Sequence, residues 1–171
     1  MSATLSTVPQ SRSGVVCHAE KIAVLIPAWK PERVLVDLVR RLAELGFGAI
    51  IVVNDGSDPS YEHIFDELSE RTFQERSRVH IIRHPVNLGK GRALKTGLGY
   101  FVNNCSGLIG IVTADADGQH SAEDILTVAE KLNGDSLRLV LGARRFRGEI
   151  PIRSLVGNII TRHIFLGQLF T

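Results

Sequence analysis

The sequence predicts an α/β domain built on a mostly parallel sheet. Three observations carry this expectation. Short, nearly continuous apolar runs recur along the chain, the pattern of strands buried on both faces. Between them lie segments whose apolar residues repeat at helical spacing. The two kinds alternate, five strands with helices between them, which is the signature of strand–helix–strand units on a parallel sheet.

Taken in order, the first strand spans residues 21 to 26, KIAVLI, and ends at Pro27. From Glu32 to Leu45, Leu35, Leu38, Val39, Leu42 and Leu45 mark one face of a helix, with Gly46 as its stop. AIIVV, residues 49 to 53, is a second strand that NDGSD breaks abruptly. Ile64, Phe65 and Leu68 indicate another helix, VHIIR (79–83) a third strand, and residues 89 to 103 a further helix. LIGIV (108–112) is the fourth strand. SAEDILTVAEKL (121–132) follows as a helix, its start marked by Ser121 and Asp124, a variant of the capping box. LRLVLGA (137–143) is the fifth strand.

Length and composition fit one globular domain. The chain has 171 residues, enough for a sizeable core, with 44% hydrophobic and 22% charged residues. Residues 1–20 are rich in Ser and Thr and read as a flexible tail, leaving 21–171 as the domain. A net charge of +2 makes no global case for nucleic acid. Two cysteines without a CxxC pair suggest neither a disulfide framework nor a zinc site, which fits a reducing compartment. No run reaches the roughly 18 apolar residues of a membrane span.

Open parallel sheets bind ligands at the carboxyl ends of their strands, so the chemistry is sought in the loops there. After the fourth strand, TADADGQH places Asp115 and Asp117 two residues apart, with Gln119 in the same parity. Two carboxylates and an amide oxygen suit a hard cation such as Mg²⁺ or Mn²⁺. A lone pair of this kind is more often a polar turn. It is not an EF-hand, because His120 and Leu126 stand where that loop needs Gly and Glu. NDGSD is either a tight turn or a place where Asp55 accepts hydrogen bonds from a nucleobase. In NLGKGRALKTG (87–97), glycines flank Lys90 ahead of a helix, with Arg92 close by: a phosphate cradle or a solvated loop, and neither a Walker A loop nor GxGxxG. Arg144, Arg145, Arg147 and Arg153 follow the fifth strand, and guanidinium forks suit phosphate. From Ile152 to Phe170 the chain is unusually apolar, with Arg153 and Arg162: core, a membrane-surface segment or a face for a partner.

The order of IPAWKPE, VVNDGSD, NLGKGRALKTG, TADADGQHSAEDI and GARRF resembles the nucleotide-binding half of family 2 glycosyltransferases of the GT-A fold. The run from DADGQH to IPIRSLVGN is most similar to the dolichyl- and polyprenyl-phosphate sugar synthases of that family. The resemblance covers about residues 21 to 168 and implies a Rossmann-like three-layer sandwich. It implies that Pro27, Ala28 and Glu32 line a nucleoside pocket, that Asp55 meets the base, and that Lys90 lies near base and diphosphate. Asp115, Asp117 and Gln119 correspond to a metal-binding DxDxQ for Mg²⁺ or Mn²⁺. The catalytic set so implied is Asp117, through the metal, with Arg144 and Arg153, which hold the acceptor's phosphate. Two departures stand out. Trp29 and Lys30 replace the usual aromatic and asparagine, and Pro31 a common acidic residue, which leaves the base open. The chain also stops at Thr171, where similar enzymes continue, so a truncated C-terminal part is expected.

The function so implied is metal-dependent, inverting transfer of a sugar from a nucleoside-diphosphate-sugar to a polyprenyl phosphate. No nucleic acid takes part. The setting would be the cytoplasmic side of the cell envelope, with peripheral contact to the membrane or to a membrane-embedded partner. A lipid phosphate is already an anion near neutral pH (second pKa about 6) and needs positioning rather than a general base. Transfer to a sugar hydroxyl in cell-surface polysaccharide, or nucleotide-sugar binding without catalysis, are the alternatives.

Overall fold

The computed structural model describes residues 19–69 and 78–131. The expected fifth strand, Arg144, Arg145, Arg147, Arg153 and the apolar segment after them lie outside the described residues, as does most of the expected N-terminal tail.

Strands β1 (Ile22–Ala28), β2 (Ala49–Asn54), β3 (Arg78–Arg83) and β4 (Gly110–Thr113) form one sheet in the order β3-β2-β1-β4, with every pairing parallel. Helices α1 (Val34–Glu44), α2 (Glu62–Leu68), α3 (Lys90–Asn104) and α4 (Ala122–Glu130) connect and flank the strands. All four strands, and the helices between them, stand where the apolar runs predict.

The continuous apolar runs are explained by two separate cores. On one face Ile22, Val24, Ile26, Ile50 and Val52 pack with residues of α1, α2 and α4, among them Val36, Phe65 and Ile125. On the other face Ala23, Leu25, Ile51 and Val53 pack with Ala93 and partly buried Leu94, Tyr100 and Phe101 of α3. Alternate residues of each strand thus meet helices on opposite sides, and the result is a three-layer α/β sandwich. Burial of β2 is complete at all six positions. Gly97 lets α3 lie close: a Cβ there would stand 2.1 Å from Leu25 Cδ1.

Two boundaries differ from expectation. β1 runs through Pro27 to Ala28, paired with Val53 and Asn54. Its pairing with β4 ends earlier, at Leu25 opposite Thr113. Leu25 O accepts from Ala114 on the β4 side, while Ala28 O accepts from Asp55 on the β2 side. By that alternation the N–H that Pro27 lacks would face the β4 side, where pairing has stopped, so the strand tolerates it. β4 is shorter than LIGIV and starts at Gly110. The expected helix signals hold: Gly46 adopts φ +78° just beyond α1, and Ser121 caps α4 by accepting the Asp124 N–H at 3.1 Å.

Candidate functional site

The sheet order sets the geometry of the site. β1 lies between β2 and β4, so the chain crosses to the other face of the sheet through α3, and a crevice opens between the carboxyl ends of β1 and β4. The loops after β1, β2 and β4 and the start of α3 converge on it. They enclose a cleft of about 560 Å³, within the usual range of small-molecule sites.

The loop after β1 supplies Pro27, Ala28 and Glu32, as expected, together with Trp29, Lys30 and Pro31. Trp29 is 55% exposed on the rim. Lys30 takes φ +50°, an uncommon conformation for a residue with a side chain. Two contacts hold it. Its backbone N–H donates to Ser57 Oγ at 2.9 Å, and its ammonium pairs with Asp58 Oδ2 at 2.8 Å. The first loop is thereby tied to the second.

Asp55 stands at the end of β2 and is only 3% exposed. Its Oδ1 accepts from His84 Nδ1 at 2.8 Å and from the Leu88 N–H at 3.0 Å. Burial pushes its pKa up, but the bonds from His84 and from the Leu88 and Gly89 N–H groups outweigh burial and hold it below the ordinary carboxylate value. Behind it, His84 Nε2 lies 2.9 Å from Thr96 Oγ1 on α3. Gly56 closes this corner with φ +68°, and a Cβ there would stand 2.1 Å from the Val86 carbonyl carbon. The loops after β2 and β3 can approach only because that residue is glycine.

Asn87 and Gly89 bring the chain into α3, with Asn87 Oδ1 accepting the Gly89 N–H at 3.0 Å. Lys90 begins the helix and reaches across to Asp115 Oδ1 at 2.6 Å. After β4, Ala114 N–H is fixed to Leu25 O, and Asp115 and Asp117 both line the cleft. Asp117 Oδ1 accepts the Gln119 backbone N–H at 3.0 Å. The turn at Gly118 has φ +74° and packs so closely that a Cβ would sit 2.6 Å from Val34 Cγ2.

Pro27, Ala28, Glu32, Asp55, Lys90, Asp115 and Asp117 therefore come together in one cleft, although up to 90 positions separate them. Gln119 is exposed and falls outside the lining. Arg144 and Arg153 lie outside the described residues. His84, Asn87 and Thr96 are not among the sequence-based candidates; the signal for His84 was its place at the end of the third apolar run, the position that Asp55 holds on the second.

The donor set suits a hard cation. Asp115 and Asp117 both line the cleft, and the Lys90 ammonium stands against Asp115 as a positive charge. Among the described residues, no three His, Cys, Asp or Glu side chains gather into a metal cage.

The profile of glycosyl transferase family 2 matches residues 23–154. The chain belongs to this family. Among its relatives is a UDP-N-acetylglucosamine–dolichyl-phosphate N-acetylglucosaminyltransferase of Methanococcus voltae, 32% identical over 151 residues, which cover 81% of this chain and 59% of that protein. An uncharacterized protein of Methanocaldococcus jannaschii is 30% identical over 148 residues (82% of this chain, 55% of that protein). A second from the same organism is 28% identical over 134 residues (78% and 56%). The chain thus spans little more than half the length of these relatives. With the Rossmann-like GT-A architecture of this family, it places its cleft where such a sheet binds ligands, at the strand ends beside the change in winding. No helix among the described residues is long and apolar enough to cross a membrane.

Proposed function

We propose that this family 2 glycosyl transferase moves a sugar, with inversion, from a nucleoside-diphosphate-sugar to a polyprenyl phosphate. The observation that carries the reading is the convergence of Asp55, Lys90, Asp115 and Asp117 on one cleft, each suited to a different part of the donor. Asp55, buried and acceptor-only, meets a nucleobase N–H. Lys90, at the start of α3, takes the diphosphate, where an ammonium and free backbone N–H groups favour anions. Asp115 and Asp117, with Gln119 beside them, would hold Mg²⁺ or Mn²⁺, and a bound divalent ion supplies positive charge to the leaving diphosphate. The polyprenyl acceptor rests on the similarity to the Methanococcus voltae protein, whose name carries a dolichyl phosphate, and on the sequence of Arg144 and Arg153.

The bonds balance simply. An oxygen of the lipid phosphate attacks the anomeric carbon, a new C–O bond forms, and the bond from that carbon to the nucleoside diphosphate breaks with its electron pair. No proton has to be removed from the acceptor, so the chain needs residues that orient two anions against each other's repulsion. Lys90 in the cleft has that charge, and Arg144 and Arg153 carry it in the sequence.

The test is a transfer assay with purified protein, UDP-N-acetylglucosamine, a short-chain polyprenyl phosphate and Mn²⁺. The expected products are UDP and a sugar monophosphate lipid with inverted anomeric configuration. Retained configuration would overturn the displacement mechanism. Transfer to a sugar hydroxyl in place of the lipid would overturn the acceptor, and metal-dependent UDP binding with neither transfer nor hydrolysis would mark a binding module.

A further inference from the structure

We propose that His84 is a positioning residue that aims the Asp55 carboxylate at the donor's base, with Thr96 as its support. This rests on the reading of Asp55 as the base acceptor. His84 lies outside the expected motifs and Thr96, though within NLGKGRALKTG, has no role among them; together they form a partly buried chain of hydrogen bonds that ends at Asp55 in the cleft wall.

The side chains of His84 and Asp55 are 8% and 4% exposed, and their contact measures 2.8 Å. A carboxylate so enclosed could turn about its last bond and face several partners. Here the hydrogen bonds from His84 Nδ1 and from the Leu88 N–H fall on Oδ1, while the Gly89 N–H, which also favours the charged carboxylate, makes its own bond to Asn87 Oδ1. Oδ2 is left as the acceptor for a ligand of the cleft that Asp55 lines. His84 can do this only if its Nδ1 carries the proton, because an ionised carboxylate accepts and does not donate. Thr96 Oγ1, 2.9 Å from Nε2, braces the far side of the ring, because a hydroxyl can accept from an Nε2–H or donate to a bare Nε2.

The backbone holds the pair in place. The His84 N–H donates to Asn54 O at 2.9 Å, next to Asp55 in the chain, so the two side chains leave neighbouring strand ends. Thr96 reaches His84 because the following residue, Gly97, lets α3 lie against Leu25. Sheet and helix both fix the imidazole, and the imidazole fixes the acid.

Substitutions that keep one ring nitrogen at a time separate this role from mere packing. Asparagine places its amide nitrogen where Nδ1 stands, and glutamine places it near Nε2. Calorimetric titration of the full chain with UDP and with GDP, each with Mn²⁺, selects the tighter nucleotide as probe. His84→Gln is expected to weaken it about tenfold, the size of one hydrogen bond to a charged group, and His84→Asn to stay within about threefold, rescued by the retained donor. Thr96→Val, nearly the same shape, should show a smaller loss in the same direction. The deciding measurement is a double-mutant cycle: with Asp55→Ala already present, His84→Gln should weaken binding no further. Equal losses with and without the Asp55 carboxylate, or equal losses for Asn and Gln, would overturn the positioning role, and thermal unfolding of each variant identifies any loss due to misfolding. If Thr96→Val and His84→Asn fold and bind as the parent does while His84→Gln is unfolded, the conservative pair still decides: a fully unaffected Thr96→Val removes the support from the proposal. A parent that binds neither nucleotide overturns the donor reading itself, whereas intact binding that ignores His84 overturns only the inference.

Discussion

At the scale of single residues, Asp55 shows how a charge is kept inside a cleft wall. Its burial is unfavourable and is offset by three donors, the His84 ring and the Leu88 and Gly89 N–H groups. Asp55→Ala would leave the His84 and Leu88 donors without their acceptor, and a buried donor stranded in this way costs about 1–3 kcal/mol. Asp55→Asn keeps an acceptor for them and should lose less than half as much; urea denaturation followed by circular dichroism measures both. The pH dependence has a definite sign. A carboxyl whose folded pKa is depressed stabilises fully above its unfolded pKa and loses that contribution as pH falls through the folded value. The gap between parent and Asp55→Ala should therefore be constant near neutrality and narrow below about pH 4, where an unperturbed aspartate titrates. A gap that widens on acidification would contradict the depressed pKa.

At the scale of elements, the strands and helices were legible because each apolar run is buried on two faces or one, and periodicity reports that directly. The same signal places boundaries less well. Pro27 looks like a strand terminator, yet whether its missing N–H matters depends on which neighbour it would face, and that is a property of the sheet order rather than of the run. The sequence also shows which loops share a sheet edge, so Asp55, Lys90, Asp115 and Asp117 could be grouped in advance. It does not show reach across a loop. The contact of His84 with Asp55 depends on the register of β2 with β3, and that of Lys90 with Asp115 on how α3 meets the loop after β4. Capping is the opposite case, wholly local and therefore readable: Ser121 accepts the Asp124 N–H and donates back to its carboxylate at 2.7 Å. Ser121→Ala should destabilise the domain by about 1 kcal/mol, lowering the urea midpoint without changing the slope. Asp117, the metal ligand proposed above, lies on the loop before this cap and should be undisturbed, so nucleotide affinity of the folded variant should match the parent's.

At the scale of the whole molecule, the sheet order brings α3 and the β4 loop to the two sides of one crevice, and the Lys90–Asp115 pair spans it at 2.6 Å. Both side chains are substantially exposed, so as a stabilising contact the pair is worth little. Its position is what gives it a consequence. Without ligand, the ammonium offsets one of two carboxylates that would otherwise repel each other and attract a cation. On the proposed reading, a nucleoside diphosphate in the cleft would bring its phosphates to the same ammonium at the start of α3. Lys90 would then be a counter-ion that the acidic loop and an anionic ligand share, and removing it should move two affinities in opposite directions. Lys90→Gln is expected to tighten binding of Mn²⁺ alone by a few fold, because Asp115 and Asp117 are then uncompensated. It should weaken binding of UDP in saturating Mn²⁺ by about tenfold, or roughly 1.4 kcal/mol, because the diphosphate loses its cation. Both are read by calorimetry at one fixed ionic strength, since exposed charges are screened by salt. Affinities that change together, in either direction, would mean that Lys90 serves only one of the two partners.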